Sequence, residues 1–413
     1  MSRRLSLHIT IWSCLSLMIL SACRAVPVAQ ESNPTPEDTA PVATAVTPTA
    51  DGPDELAAIK EGIQATLDRY TQAYNENDAE IVEQLVAPGS GPFRRIFLAQ
   101  FERDMRVFDR DFVFEHTVQE VTQRENSFVQ ALITVESGSV ANWLFREVDG
   151  EWLFSEPTEE LVGEPKMVET DHFIFYTYTW SEDVNATIMG MMEQSRETVE
   201  AKLGKLPEEK LRVYIKPASG VPLLGGGVGP GFYHRASSER VPDSISVLTP
   251  VSFAFRFYNP DKGWEPVLQD VLAHEYTHFV TDHAFVPLIE MAPWMYEGLA
   301  EYIIEENYDG LLQEIVEDDL FIPIVDTTRA YGKQDLEHMN IGLEEETAVD
   351  YALAYSLVVY ITETYGGLEG FWALVEAYTP RRDFDDALQE TFGVRYETFE
   401  QDWQDWVRTQ YGS

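Results

Sequence analysis

Two histidines four residues apart, His274 and His278, constrain the fold of this chain more than any other feature. Residues at positions i and i+4 lie on one face of an α-helix, so both imidazoles can bind the same metal ion. The flanking sequence predicts a helix over Glu265–Ala284, since its one proline, Pro266, falls in the first turn, where proline is tolerated. At about 100° per residue, the histidine face adjoins an apolar stripe, which predicts a metal site walled by the core.

The residue after the first histidine, Glu275, is a candidate proton acceptor. A rotation of about 100° from His274 places its carboxylate beside the metal, where it could take a proton from bound water. The opposing interpretation, two core histidines on an apolar helix, would leave Glu275 buried without a partner, which is costly. The motif therefore predicts a zinc site with Glu275 as its general base.

Three residues are candidates for the third metal ligand. Glu297 follows His278 after eighteen intervening residues, on a second predicted helix that starts at Pro293. His283 is weaker, because only four residues separate it from His278 and it lies about 140° around the helix. Asp282, four residues past His278, could bond that histidine or be an ordinary helix-end charge. The spacing favours Glu297.

The H-E-x-x-H segment, the eighteen-residue interval and Glu297-Gly-Leu-Ala-Glu-Tyr302 together resemble the gluzincins, the zincins whose third ligand is a glutamate. The resemblance covers residues 165–413 and implies a small sheet followed by a mainly helical zincin lobe, with the cleft between them. It implies one Zn2+ per chain, held by His274, His278 and Glu297 with water at the fourth position. The segments that resemble the bacterial peptidase MA-like group are Ala273–Phe279, Pro293–Tyr302, Tyr351–Gly366 and Phe399–Trp403.

The same resemblance implies a metallopeptidase, in which Glu275 takes a proton from the zinc-bound water during attack on a peptide or protein substrate. Glu301, four residues past Glu297, is expected to bond the free ring nitrogen of a ligand histidine; the alternative is a solvated helix carboxylate. Related enzymes stabilise the oxyanion with a tyrosine or a histidine. Tyr351 and Tyr355 are therefore candidates, although either could be merely packed.

Whether the enzyme cleaves within a peptide or at its end is predicted from a sequence segment that the chain lacks. Aminopeptidases among the gluzincins capture the substrate amine with Gly-x-Met-Glu-Asn, which this sequence lacks. Endopeptidase action is therefore the prediction. His234 is a further, weaker candidate for the oxyanion donor. The alternative from another functional class is a surface binding or assembly lipoprotein with a vestigial zinc site.

The N-terminus has the features of an export signal. Residues 1–22 combine a basic start with an apolar stretch too short for a comfortable transmembrane helix, and Leu20-Ser-Ala-Cys23 resembles a bacterial lipobox. This resemblance implies lipidation of Cys23 and a protein anchored to the cell membrane, facing the periplasm or the exterior. Residues 23–54 are rich in proline and threonine, which predicts a disordered tether. Cys14 is the one other cysteine, so no disulfide framework is possible after processing.

Residues 55–160 have the composition of an accessory α+β unit, with one helix from Asp54 and a second over Asp78–Val86. The layout resembles the nuclear transport factor 2-like, cone-shaped (cystatin-like) superfamily, whose members include enzymes and interaction modules. His116 and Asp111 could form a catalytic pair there, or His116 could be packed at a strand edge. A small-molecule site in this cone is a further hypothesis. Strands are predicted at Asp111–His116, Phe128–Val135 and Val140–Glu147, with a hairpin turn at Val148–Glu151.

The second predicted unit, residues 165–413, makes the whole chain α+β, with strands first and helices after them. The glycine-rich stretch Val221–Gly231 lacks the Gly-Lys-Ser/Thr ending of a phosphate loop, so a loop is expected there. Strands are expected at His172–Trp180, Leu211–Ile215 and Ser244–Leu248. Further helices are expected at Asp183–Leu203, Pro293–Glu306, Asp350–Tyr365, Leu368–Tyr378 and Tyr396–Gln410.

The chain is strongly acidic, with 71 acidic against 29 basic residues and a formal net charge of −42. Such a charge repels nucleic acid, so we predict no nucleic-acid partner. The charges are spread along the sequence, which favours a role in solubility or salt adaptation over a preference for cationic substrates. No sequence feature sets an oligomeric state.

Overall fold

The computed structural model describes residues 53–89, 91–107, 116–124, 128–135, 140–156, 159–216, 231–235, 242–250, 255–258, 263–324 and 343–412. The predicted signal peptide and nearly all of the tether, with Cys23, lie outside these residues, as do Asp111 and the stretch 221–230. None of the described helices is both long enough and apolar enough to cross a lipid bilayer. The described part is a mixed α+β structure with two sheets and a helical C-terminal region.

The first unit is a layer of helices on an antiparallel sheet. Its helices are α1 (Pro53–Glu76), α2 (Ala79–Gln84) and α3 (Gly91–Val107), and its strands are β1 (His116–Gln123), β2 (Phe128–Val135), β3 (Val140–Val148) and β4 (Glu151–Phe154). Asp149 and Gly150 both have positive φ, the geometry of the tight hairpin turn predicted between β3 and β4. Helix α3 was not predicted, and β1 begins at the residue where the first predicted strand ends.

His116 lies in the aromatic core of this unit. Its side chain is buried, and its ring centroid lies 5.3 Å from that of Tyr70 and 5.4 Å from that of Trp143. Its Nδ1 atom is 3.5 Å from the hydroxyl of Thr71. These contacts fit the packed interpretation of His116. The catalytic pair stays untested, because Asp111 is outside the described residues.

The second unit begins with strands and continues mainly as helices. Its strands are β5 (Pro165–Glu169), β6 (Phe173–Tyr178), β7 (Leu211–Lys216), β8 (Gly231–His234), β9 (Ser244–Leu248) and β10 (Phe255–Tyr258). A short helix, α4 (Glu159–Val162), precedes this unit and contributes Leu161 to the core of the first unit. The helices of the second unit are α5 (Glu182–Leu203), α6 (Glu265–Val280), α7 (Pro293–Ile304), α8 (Asp309–Asp318), α9 (Leu343–Thr364), α10 (Gly367–Tyr378), α11 (Phe384–Thr391) and α12 (Tyr396–Tyr411). Helices α4, α8 and α11 and strands β5, β8 and β10 were not predicted.

The second sheet has the strand order β5-β6-β7-β9-β8. Strands β6, β7 and β9 run parallel to one another, and β8 runs antiparallel to β9 at the edge. Phe173, Val213 and Ile245 from this sheet share one buried cluster with Leu272 and Phe279 of α6. The edge strand β8 is close to α6, since a Cβ built on Gly231 would lie 3.0 Å from a methyl group of Val271.

Strand β10 joins the two units. It pairs antiparallel with β3 of the first sheet, placing Phe255 opposite Asn142 and Tyr258 opposite Val140. Seven residues after β10 ends, α6 begins at Glu265. The backbone leading into the predicted metal helix is therefore hydrogen-bonded to the sheet of the first unit.

Helix α6 is shorter than predicted. Its α-helical part ends at Val280, and Thr281–Phe285 form one wider π-helical turn. The wider turn changes the direction of Asp282 and His283 relative to an uninterrupted helix. The seven residues from His274 to Val280 keep regular α-helical geometry and are all buried.

Helix α7 approaches α9 very closely at Gly298. A Cβ atom built on Gly298 would lie 2.3 Å from the carbonyl oxygen of Ala354 and 3.0 Å from a methyl group of Val358. Because Gly298 directly follows Glu297, this contact sets how far the helix that bears Glu297 lies from α9.

We expect Gly298→Ala to lower the free energy of unfolding by about 1–3 kcal/mol, because the new methyl group meets backbone that cannot rotate away. Denaturant unfolding followed by circular dichroism measures this change. Gly310→Ala in α8 is the matched control, since nothing lies within 4 Å of its Cβ position. In the control, the helix preference of alanine should give an unchanged or higher stability. Equal unfolding midpoints for the two variants would contradict this account.

Candidate metal centre

Helices α6 and α7 bring five chemically active side chains together in the core. Helix α6 contributes His274, Glu275 and His278, and α7 contributes Glu297 and Glu301. All five have at most 3% of their surface exposed. Within each helix the two outermost of these residues are four apart, so each helix presents them on one face, as predicted.

Three ligand atoms meet at one point. The Nε2 atoms of His274 and His278 are 3.0 Å apart, and they lie 3.2 and 3.3 Å from Oε2 of Glu297. In a tetrahedral zinc site with bonds of about 2.0 Å, neighbouring ligand atoms are about 3.3 Å apart. The three side chains therefore already have the spacing of a zinc site.

Two buried carboxylate oxygens show that these residues suit a cation. Oε2 of Glu297 and Oε1 of Glu275 are buried and make no hydrogen bond of acceptable geometry with a described residue. The Nε2 atoms of His274 and His278 lie at ion-pair distance from Oε2 of Glu297, and all three atoms face a common point. A buried carboxylate oxygen without a partner is costly, and a divalent cation at that point would remove the cost.

The pKa shifts of His274 and Glu297 also indicate a site that suits a cation. Burial by itself would lower the pKa of His274, but hydrogen bonds to Glu297 and Glu301 outweigh it and hold that pKa well above its usual range. Burial would raise the pKa of Glu297, but the charge of His278 and the close contacts with both histidines lower it to about 2. The carboxylates thus stabilise positive charge at this point, whether a proton or a metal ion supplies it.

Glu275 lies beside the ligand atoms and is held from one side. The backbone N–H of Tyr233, on the edge strand β8, donates to Oε2 of Glu275 at 2.5 Å. Burial raises the pKa of Glu275 above its usual range, and the two neighbouring histidines only partly offset this effect. A carboxylate with a raised pKa is a stronger proton acceptor near neutral pH.

Glu301 connects the centre to a residue that was not predicted. Its Oε1 atom lies 3.0 Å from Nδ1 of His274, and its Oε2 atom accepts a hydrogen bond from the Tyr308 hydroxyl at 3.0 Å. A carboxylate on the outer ring nitrogen fixes the tautomer that directs the Nε2 lone pair inward. Glu301 thus lies between His274 and Tyr308.

The two candidate oxyanion tyrosines have different ring neighbours. Tyr351 is fully buried beside the metal ligands, its ring centroid 6.3 Å from that of His274. Tyr355 packs instead against Tyr308, at 5.4 Å between centroids. His234 is on β8, with Nε2 3.2 Å from the Ser246 hydroxyl, and burial with the nearby Lys216 charge lowers its pKa to about 4. Of the three candidates, Tyr351 is the one in ring contact with a metal-ligand histidine.

Asp282 and His283, the two weaker ligand candidates, lie in a different cluster of side chains. Asp282 accepts hydrogen bonds from the Leu288 backbone and from Arg235, and not from His278 as one interpretation expected. His283 lies with Nδ1 2.6 Å from Glu209 and Nε2 3.3 Å from Asp243. Neither side chain is among the atoms that meet at the metal centre.

Tyr233 and Tyr308 were missed by the sequence analysis for physical reasons. Tyr308 follows a break in the chain direction at Glu305, which has a φ of 56°, so helical spacing does not connect it to Glu301. Tyr233 reaches Glu275 through a backbone N–H on a short strand, which leaves no side-chain signature. Four residues of strand are also too few to show an alternating pattern.

The chain is similar to a protein superfamily and to solved structures. The sequence matches none of the curated proteins with which it was compared. Among solved structures it matches a crystal structure of a mutant M1 zinc metallopeptidase from Deinococcus radiodurans, with 11% identity and a TM-score of 0.30. That match covers 70% of this chain and spans 60% of the length of the other. Residues 266–409, which carry His274, Glu275, His278 and Glu297, are similar to the Peptidase MA superfamily.

Proposed function

We propose that this protein is a zinc-dependent peptidase whose reaction centre is formed by His274, Glu275, His278 and Glu297. The observation that carries the proposal is the meeting of three ligand atoms within 3.0–3.3 Å, with Glu275 buried beside them. The similarity of residues 266–409 to the Peptidase MA superfamily supports a metallopeptidase. We further propose endopeptidase action, because the amine-capturing segment of related aminopeptidases is missing from the sequence.

The side chains have separate roles in this proposal. When bound, zinc would lower the pKa of a water molecule to about 7 and polarise the substrate carbonyl. Glu275 accepts the water proton on Oε1, since Oε2 already accepts the Tyr233 N–H, and passes the proton to the leaving amine. Glu301 keeps the His274 lone pair directed at the metal. Tyr351 is the proposed oxyanion donor, because it is the candidate beside His274.

We also propose where the protein acts. The signal-like residues 1–22 and the lipobox-like Leu20–Cys23 support export and lipidation at Cys23, with residues 23–54 as a tether. The substrate would then be a peptide or protein outside the cytoplasmic membrane. Residues 55–160 are proposed as a cone-shaped accessory unit of the nuclear transport factor 2-like kind, attached to the reaction centre through β10.

Replacing Glu275 with glutamine should abolish chelator-sensitive cleavage of a peptide library while the zinc content stays near one ion per chain. The substitution removes the proton acceptor and leaves all three ligand atoms in place. Mass spectrometry of the library with and without a chelator measures cleavage, and metal analysis of the purified protein measures zinc.

The matched control is Glu317→Gln, an exposed carboxylate on α8 that accepts a hydrogen bond from Gln313. It should leave cleavage unchanged. Full activity in Glu275→Gln would contradict the mechanism. Zinc binding without chelator-sensitive cleavage of any peptide by the unmodified protein would favour a binding or assembly lipoprotein with a vestigial site.

Replacing Glu301 with glutamine should weaken zinc binding by about 10- to 100-fold. The neutral amide no longer stabilises positive charge on His274, and it can present its NH2 group to the ring nitrogen instead of an acceptor. Competition with a coloured zinc chelator measures the affinity. The exposed Glu317→Gln variant again serves as the control, and equal zinc affinities for the two variants would exclude the role assigned to Glu301.

A further inference from the structure

Tyr233 connects the reaction centre to the edge of the second sheet. Its backbone N–H donates to Oε2 of Glu275. The other oxygen of Glu275, Oε1, makes no hydrogen bond with a described residue. The position of a single strand residue therefore decides which oxygen is held and which one can take a proton.

The side chain of Tyr233 is anchored separately from its amide. Its hydroxyl lies 2.6 Å from Oδ1 of Asp243 and 3.2 Å from Oδ2 of Asp282, and its ring packs on Phe279. Burial and the two carboxylates raise the pKa of Tyr233 above its usual range, so the phenol stays a donor at neutral pH. The phenol has one proton, and its donation to the nearer carboxylate, Asp243, is a strong, charge-assisted hydrogen bond, with Asp282 as the longer second contact.

The contact of the Tyr233 hydroxyl with Asp282 connects β8 to the end of the helix that bears Glu275. Asp282 lies in the π-helical turn that continues α6, seven residues after Glu275, and its side chain is 4% exposed. It also accepts from Nε of Arg235 at 2.9 Å, two residues after Tyr233 on the strand side. The segment 233–235 is thus bound to the metal helix twice, once at Glu275 and once at Asp282.

A metal ion is a poorer explanation of the same cluster. Asp243, Asp282 and His283 have ligand atoms within 4.8 Å of one another, a spacing that could hold an ion. However, Oδ1 of Asp282 accepts from Leu288, and its Oδ2 faces the Arg235 guanidinium and the Tyr233 phenol. The Arg235 guanidinium already pairs with Asp282, and both oxygens of Asp282 have donors, so the contacts favour a clamp over a cation site.

We propose that Tyr233 is a positioning residue, whose clamped phenol keeps its own N–H against Glu275 and so holds the general base for proton transfer. The proposal rests on the peptidase function proposed above. The clamp acts on Glu275 alone, because the described contacts of Tyr233 include neither the ligand histidines nor Glu297. Its loss should therefore slow the chemical step and leave zinc binding intact.

The test is Tyr233→Phe in the full-length, zinc-loaded protein, assayed with a peptide that the unmodified protein cleaves. Loss of the phenol anchor should lower kcat by about 10- to 100-fold, with KM and zinc affinity unchanged. Asp282→Asn weakens the anchor without touching the ring and should lower kcat in the same direction.

Tyr176→Phe is the matched control, a partly buried tyrosine of β6 in the same sheet that stacks on Tyr214. It should leave kcat unchanged. Wild-type kcat in Tyr233→Phe, or a fall in kcat that is matched by an equal loss of zinc affinity, would overturn the proposal.

A measurement that needs no activity separates this inference from the proposed function. Hydrogen exchange of the Tyr233 amide should accelerate in Glu275→Ala, which removes its acceptor. In Tyr233→Phe the backbone amide at position 233 should also exchange faster than it does in the unmodified protein, because the phenol anchor is lost. Unchanged exchange in both variants overturns the clamp even in an active enzyme. Accelerated exchange in a protein that cleaves no peptide would retain the clamp and reject the peptidase.

Discussion

The structure around the metal centre depends on one electrostatic constraint: three buried carboxylates lie within reach of two histidines. Glu275, Glu297 and Glu301 are each at most 3% exposed. Their described polar partners are the two imidazoles, the Tyr233 amide and the Tyr308 hydroxyl, with no lysine or arginine among them. If all three are ionised, two neutral histidines leave an excess of negative charge that the protein interior does not tolerate. Either protons or a divalent ion must balance it, so metal binding and the folded geometry are coupled.

That constraint explains why the surrounding scaffold is so closely packed. The ligand atoms of α6 and α7 meet only if both helices are held in place, and Gly298 fixes α7 from its other side by letting it lie against the backbone of α9. On the other side, β8 is attached to α6 through Tyr233 and Arg235. Helix α6 is thus fixed between a helix pair and a sheet edge. The cost of displacing either neighbour includes the exposure of unbalanced charge as well as lost packing.

Local periodicity accounts for the part of the site that the sequence could predict. His274 with His278, and Glu297 with Glu301, are each four residues apart on a regular helix, so their facing directions follow from helix geometry alone. Strands β2 and β9, which carry clear apolar patterns, have the predicted bounds. Tyr233 could not be predicted, because a backbone amide donates whatever its side chain is. The π-helical turn at Thr281 was also hidden, and it directs Asp282 away from His278 towards β8.

The pairing of β10 with β3 connects the sheet of the first unit to the chain segment that precedes α6. Residues 255–258 belong by sequence to the segment between the second sheet and α6, yet their backbone is hydrogen-bonded to Asn142 and Val140 of the first sheet. An edge of β3 left open would expose unpaired backbone groups, and β10 covers it where β4 does not reach. At the other end of α6, the contacts of Asp282 with Tyr233 and Arg235 hold the π-helical turn against the edge of the second sheet.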